Sequence, residues 1–476
     1  METKNKRSLV DLSKKTFLQV SALLAALMLA AIVLTYVIPK GSFGTNPDGS
    51  VNYLEYERVE GVKGIGIIKG LLAPILVFFS PSGLTLIMLT LFLIVIFAAF
   101  QVMNDVGGIK VLVGAISERF KKRRMLLLMA VSFIFMCFGA FLGQFEEMLT
   151  MLPIITALCV MVGFDSFTGF LVSIISCGFG FASAITNPFT VLLASQIIGA
   201  NPMENIWYRI VIFAVMYLLM LCFIFLYVRR IIKDPTASLT CAHDEKLRAA
   251  GDTGEEARDP ARAGRIKLTY VVFLLVCLAL LIACSTTAAL RDYTVVVLIA
   301  YFLIFGIAAG LVCTGDLKLV MKSFLKGAVG ALPTIVFIAL ASSVKYIFDE
   351  GMIMPTIVHQ INGIVEGRSL IMIALVLYAI ILVLEFFISS STAKAILVMG
   401  MLAVVNVGLT KQMLVLIYTF ADGYTNVLFP TSPVLLISLS MIEVDYFKWV
   451  KRSAPLFAVN LALVVLFLII GIAIGY

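Results

Sequence analysis

Charge is what this sequence has least of. Of 476 residues only 13% are Asp, Glu, Lys or Arg and 61% are hydrophobic, against roughly 25% charged and about 45–50% apolar in soluble domains. A soluble domain of this length could not hide so much apolar surface, which leaves an integral membrane protein built of many helices. The ten-residue alternation of an outer-membrane barrel is missing as well. There is no CxxC pair among the eight cysteines, seven of which lie inside apolar runs as small fillers, so a secreted disulfide scaffold is excluded. No HExxH occurs, His243 falls in a polar linker where it is expected to be solvated, and His359 falls in an external arm, so an intramembrane enzyme lacks its nucleophile, base or metal set. The net charge of +8 marks cytoplasmic ends of spans rather than a nucleic-acid partner.

The charges that exist give a topology. Lys4, Lys6, Arg7, Lys14 and Lys15 precede the apolar run 17–39, read as a retained first span entering from the cytoplasm. Residues 40–62, with Asn46, Pro47, Asp48 and Gly49 as turn signals, predict an external β-hairpin. Residues 65–79 read as an interfacial helix, and 83–103 as a span returning to the basic run Arg119, Lys121, Lys122, Arg123 and Arg124. Residues 233–267 form a mobile polar linker, followed by spans at about 267–286, 292–313 and 328–348. The loop 314–326 is basic and inside, 349–368 is outside, and the last spans are about 411–440 and 455–475.

Two apolar stretches carry polar residues at their middles. In 125–161 these are Glu146 and Glu147, and in 370–409 they are Ser389, Ser390, Ser391, Thr392 and Lys394. If 125–142 were a full span, the basic end Arg229, Arg230 and Lys233 of a later helix would fall outside. A re-entrant hairpin turning at the glutamates puts that end in the cytoplasm. The expected architecture is an all-α polytopic membrane protein with about nine transmembrane helices plus two re-entrant hairpins.

Its two halves repeat in opposite orientation. The segments are 1–82 (first span, external hairpin, interfacial helix), 83–232 (first repeat, hairpin 124–163, broken helix 166–200), the linker 233–266, and 267–476 (second repeat, hairpin 369–410, broken helix 411–440). A shift of 244 places Glu146 and Glu147 on Ser390 and Ser391, and a shift of 239 places Thr186 and Asn187 on Thr425 and Asn426. An odd number of spans between two copies inverts the second, as in secondary transporters.

At the first break Asn187 precedes Pro188, which removes a helical hydrogen bond; at the second, Asp422, Gly423, Thr425 and Asn426 are followed by Pro430, Thr431 and Pro433. Matched unwound helices free N–H and C=O groups at mid-depth, suited to an anionic group and to a coupling Na+ or H+. A helix start at Ser389, Ser390, Ser391 and Thr392 would favour a carboxylate. Lys394 either adds to that or pairs with a glutamate. Glu146 and Glu147 favour an ammonium group, a cation or a proton. One tip of each kind suits a zwitterion better than a dicarboxylate. Glu385 and Asp165, near the hairpin ends, are further candidates. A channel would show a continuous polar lining instead.

Glu146, Glu147 and Pro153, the run from Gly180 through Thr186, Asn187, Pro188 and Thr190, the tip at 389–394, Asp422, Gly423, Thr425 and Asn426, then Pro430, Thr431 and Ser432, and the closing Tyr446, Lys448 and Trp449 together resemble YfcC/DcuC-type carriers of the ion transporter superfamily. The resemblance implies two inverted halves, a scaffold that dimerises, and a hairpin-bearing domain that carries substrate by an elevator motion. It implies a carrier of basic amino acids or of C4-dicarboxylates in the inner membrane of a prokaryote, for which the charge distribution predicts a cytoplasmic N-terminus and an external C-terminus. The second tip departs from the family, where it is often Pro-Ser-Gly-Ser-like, and reads Ile388, Ser389, Ser390, Ser391.

Overall fold

A computed structural model describes residues 14–46, 51–81, 83–120, 122–245, 260–287, 290, 293–365, 368–388, 390–404 and 408–476. Lys4, Lys6, Arg7, Pro47, Asp48, Gly49, Lys121, Ser389 and most of the linker lie outside the described residues. Eight described helices are long and apolar enough to cross a membrane: Phe17–Val37, Gly83–Asp105, Arg124–Leu142, Ile206–Lys233, Arg262–Cys284, Thr294–Thr314, Leu317–Glu350 and Tyr446–Ala473. About 20 apolar residues at 1.5 Å rise match a hydrocarbon core of about 30 Å. The fold is an all-α polytopic one, with one small antiparallel sheet of strands Gly41–Thr45 and Val51–Arg58.

Contacts sort the helix ends onto two faces. On the basic face Lys326 lies 3.8 Å from Asp105 and Arg452 stacks over Tyr227. On the other, Lys69 pairs with Glu350 at 2.6 Å, Lys411 donates to the Gly199 carbonyl at 3.1 Å, and Thr410 donates to the carbonyl of Tyr476. The β-hairpin sits on this second face. Tyr56 stacks on His359 and its hydroxyl lies 2.9 Å from that of Thr356, while Tyr53 donates to the Ile396 carbonyl.

The helix Arg124–Leu142 is long enough to cross, yet the chain does not stay across. After a turn at Gly143 (φ 67°) it runs back through Leu152–Met161, and Arg124 stacks over Phe164, 5.6 Å from the ring. The helices Leu370–Glu385 and Ser391–Val404 behave alike, since a methyl added at Gly408 would come 3.2 Å from Leu370 Cδ2. Each pair therefore begins and ends on one face, the first on the basic face and the second on the other.

Between the faces also run two interrupted helices, Ser166–Ala182 with Pro188–Ile198, and Lys411–Thr425 with Pro433–Met441. None of their pieces is long enough to count as a span, because a proline opens each second piece. Asn187 accepts from the Phe189 and Thr190 amides, and Ser432 accepts from that of Leu435. This capping corrects the register of the repeat. Asn187-Pro188 matches Ser432-Pro433, an offset of 245 that agrees with the hairpins, whereas the shift of 239 aligns Asn187 with a residue at the end of the preceding helical piece.

Two further expectations need correction. Residues 317–330 are a helix rather than a loop, capped by Asp316 and packed along Gly83–Asp105, where Gly327 lets it approach Phe97 and Ala98. The start of the linker is packed, not free. His243 lies 3.7 Å from Glu443, and Asp244 is buried.

Candidate functional site

The two hairpin tips meet the two breaks. Gly143 at the first tip abuts Asn187, whose side-chain amide donates to the Gly139 carbonyl. At the second tip Phe386 packs edge-on against Phe429 in the second break. The broken helices cross at Gly423, with the Ala182 backbone directly against it, and again at Gly178, which faces Val427 and Phe145. Small residues let helices approach this closely where lipid provides no hydrophobic drive.

The charged centre lies at the second tip. Lys394 is fully buried and forms ion pairs with Glu385 and with Asp422, the latter at 2.6 Å; its ammonium also donates to the Ile388 carbonyl at 3.2 Å. Ser391 donates to Asp422 at 2.8 Å, and Tyr418 donates to the Ser391 carbonyl. Between this centre and the second break is a small hollow, too tight to hold a water molecule, lined by Glu385, Thr425, Asn426, Phe429, Thr431 and Ser432. Asn426 and Thr425 turn their side chains back onto the Asp422 carbonyl, at 3.0 and 2.9 Å.

The first tip differs. Glu146 is exposed and Glu147 half-buried, and no ion pair joins either to a basic side chain among the described residues. Of the two alternatives open for Lys394, the structure has it paired with a glutamate, and that glutamate is Glu385. Thr186 is half-buried beside the Phe141 carbonyl, and Ser390 and Thr392 are exposed at the start of their helix. The structure thus brings Glu385, Ser391, Lys394, Asp422, Thr425, Asn426 and Thr431 together, and leaves Glu146, Glu147, Thr186, Asn187 and Pro188 at the other tip and break. Among the described residues no group of His, Cys, Asp and Glu gathers to hold a metal ion.

Sequence reasoning overlooked Arg209. It is buried near the start of its helix and donates to the Ala184 carbonyl at 3.2 Å, so a cation already occupies one of the carbonyls freed at the first break. Its position one turn inside an apolar helix was the available signal.

Asp165 belongs to the basic face. It caps the first broken helix at the Thr168 amide and accepts from Tyr227 and Ser238, while Asp244 from the linker accepts from the Ser166 amide and hydroxyl and from Thr240. Burial pushes the Asp244 carboxyl above the usual carboxylate range, against the opposing pull of its hydroxyl and amide donors. An acid whose folded pKa is raised costs stability when ionised, so this clasp tightens as pH falls from neutral through the raised value. Amide exchange at Ser166, corrected for its intrinsic rate, is expected to slow on acidification, and Asp244→Asn to remove that dependence.

A profile of the family described as DcuC, C4-dicarboxylate anaerobic carrier, matches residues 18–473. The chain belongs to that family. Among curated relatives it is 26% identical over 385 residues to the "Putative basic amino acid antiporter YfcC" of Escherichia coli (strain K12), covering 78% of this chain and 75% of that one. It is 24% identical over 369 residues, 77% and 71% of the two chains, to an "Uncharacterized protein" of Haemophilus influenzae (strain ATCC 51907 / DSM 11121 / KW20 / Rd). Two solved transporters are similar in structure. The Alcanivorax borkumensis YdaH transporter has a TM-score of 0.46 at 14% identity, covering 96% of this chain and 99% of that one. Neisseria gonorrhoeae MtrF has a TM-score of 0.44 at 13% identity, with 94% of each chain covered. Membership makes this DcuC-family chain a membrane transporter of a small molecule.

Proposed function

We propose that this DcuC-family protein is a secondary active transporter that carries an amino acid across the cytoplasmic membrane of a prokaryote by alternating access. One observation carries the choice of substrate. Lys394, the cation at the tips, is buried between two carboxylates, while Glu146 and Glu147 stand accessible at the other tip. The charge left for a ligand is negative, which favours an ammonium group and disfavours a dianion. The substrate carboxylate meets the start of the helix Ser391–Val404 and the hydroxyls of Ser390 and Thr392, where helix-terminal amides favour an anion. The name given to the Escherichia coli relative supports this reading; the family's own description favours the second, a C4-dicarboxylate.

The helices also suggest how the movement is divided. Phe17–Val37, Gly83–Asp105, Arg262–Cys284, Thr294–Thr314 and Leu317–Glu350 pack mainly on one another, and the hairpins pack mainly on the broken helices. The first group suits a fixed, dimer-forming scaffold and the second a domain that moves as a body. With Lys and Arg toward the cytoplasm, the C-terminal Tyr476 is external. A single cysteine at Lys233, in an otherwise cysteine-free chain, is then labelled only from the cytoplasm; labelling from outside would reverse the topology.

Uptake into proteoliposomes of arginine, ornithine, neutral amino acids and C4-dicarboxylates under imposed Na+ and pH gradients tests the function. Saturable uptake of an amine-bearing compound with counterflow is expected. Uptake of dicarboxylates alone would overturn the substrate reading, and a non-saturating conductance would overturn the carrier. Glu147→Gln is expected to lower uptake about tenfold, as loss of roughly 1.4 kcal/mol of interaction would; unchanged uptake removes Glu147 from the site.

A further inference from the structure

The hollow between the second tip and the second break is too tight for a water molecule, so a carrier in this arrangement is shut and a hairpin has to move before anything enters. The two hairpins are fastened differently. The first is joined to its broken helix by main chain. At its tip the Ile185 and Thr186 amides donate to the Ala140 carbonyl at 3.0 and 3.2 Å, and the Asn187 side chain takes the Gly139 carbonyl. Along its outgoing helix Gly139 abuts the backbone of Cys177 and Phe181, and Gly180 abuts that of Met136; along its return helix the Thr156 backbone lies against Gly169. Main-chain hydrogen bonds within a bilayer have no water to replace them, and glycine contacts of this kind bring helices backbone to backbone.

The second hairpin has no such joint. Among the described residues no main-chain hydrogen bond links 370–388 or 390–404 to either broken helix. Its single glycine, Gly400, faces the Tyr53 ring rather than backbone. Side chains hold it: Ser391 and Lys394 on Asp422, the Tyr418 hydroxyl on the Ser391 carbonyl, Tyr53 on the Ile396 carbonyl, Phe386 against Phe429 and Phe387 against Phe348. Charge divides along the same line. Glu385 and Lys394 both belong to the hairpin, while Asp422 belongs to the broken helix. Withdrawal of the hairpin therefore keeps one ion pair whole, and Asp422 exchanges the Lys394 ammonium for water, which spares it the cost of a buried unpaired charge.

We infer that the second hairpin, 370–404, is the gate of the carrier, that the first hairpin is its fixed wall, and that Asp422 is the latch between gate and wall. The inference rests on the carrier reading above. Side-chain contacts part and re-form by rotation and hydration, whereas the first hairpin leaves its helix only by breaking main-chain bonds. Asp422 is the latch because both polar side chains that reach across from the gate, Ser391 and Lys394, end on it.

Two buried positions read the two hairpins without any substrate. Cys177 lies under the first tip, where its Sγ donates to the Gln144 carbonyl at 2.8 Å, and Thr431 lies beneath the second, 4% exposed. One full-length variant in lipid vesicles keeps Cys177 as its single cysteine and another has Thr431→Cys as its single cysteine. Each is labelled with a small water-soluble maleimide, and the rate is scaled to that of the unfolded protein. Labelling of a buried group follows local opening, so position 431 should react about tenfold or more faster than Cys177. Asp422→Asn leaves the neutral Glu385–Lys394 pair in place; it should speed labelling at 431 and leave Cys177 unchanged. A smaller difference, a faster Cys177, or an Asp422→Asn effect at both positions or at neither would overturn the inference. Cross-linking gives the second test. Phe386→Cys/Phe429→Cys ties the second tip to its break, and Phe145→Cys/Phe181→Cys ties the first tip to its helix, the rings lying 5.4 and 6.2 Å apart. With a short reducible linker, and each pair compared with its own reduced form, uptake should stop in the first pair, return on reduction, and persist in the second. Uptake that survives the first link or stops with the second would refute the gate and leave the carrier standing. Absence of saturable uptake for every compound in the wild type would refute the carrier, with thiol labelling still deciding which hairpin opens.

Discussion

Lys394→Gln is expected to abolish transport and to lower the stability of the solubilised protein by about 3–5 kcal/mol, the usual cost of removing one partner from a buried ion pair. The cause is the arrangement at the second tip. Three helices, Leu370–Glu385, Ser391–Val404 and Lys411–Thr425, each contribute one charge to a single buried point. Without the ammonium, two carboxylates would face each other there with nothing between them. Neutralising the rest, as Lys394→Gln/Glu385→Gln/Asp422→Asn, removes the uncompensated charge, and most of the lost stability should return, because a buried pair owes its stability to balance more than to attraction. Transport should not return, since the triple variant removes all three charges of this centre. Thermal unfolding followed beside uptake separates the two effects. A single Lys394 variant as stable as the wild type would mean that the triad is not buried as described.

That centre shows how far a sequence speaks. Lys394 and Asp422 were visible as charges in apolar stretches, because their cost in hydrocarbon makes each a marked residue. Which partner Lys394 takes was not visible. Glu146, Glu147 and Glu385 are all acids near a tip, and only the packing of the second hairpin beside Lys411–Thr425 selects Glu385. Arg209 was lost for the opposite reason. At the start of a helix it reads as an exposed flank, and its burial depends on the neighbouring first break at Ala184. The return of 124–164 to the face it started from was legible because basic residues at a distant helix end depend on it. The short loop expected at 314–326 failed because three lysines on an amphipathic helix look the same, residue by residue, as three lysines in a loop.

The second large effect is expected at Gly423, where charge plays no part. A Cβ there would overlap the Cα, Cβ and backbone nitrogen of Ala182, in the crossing of the two broken helices. A flexible side chain could swing away; backbone cannot. Gly423→Ala should therefore push the helices apart and lower stability by about 3 kcal/mol, the upper part of the range for overpacking a close contact, and Gly423→Val should prevent folding. Ala182→Gly should not rescue Gly423→Ala, because the overlap includes main-chain atoms that every residue has. Since Asp422 is the next residue, separation of the helices also draws its carboxylate from Lys394, so uptake should fall further than stability does. Gly264→Ala is the control: it lies exposed in the helix Pro260–Thr286, an added Cβ meets nothing within 4 Å, and helix propensity predicts a gain of up to about 1 kcal/mol. Melting of the two variants side by side decides whether the crossing is as tight as described, since Gly423→Ala behaving like Gly264→Ala requires the broken helices to stand apart.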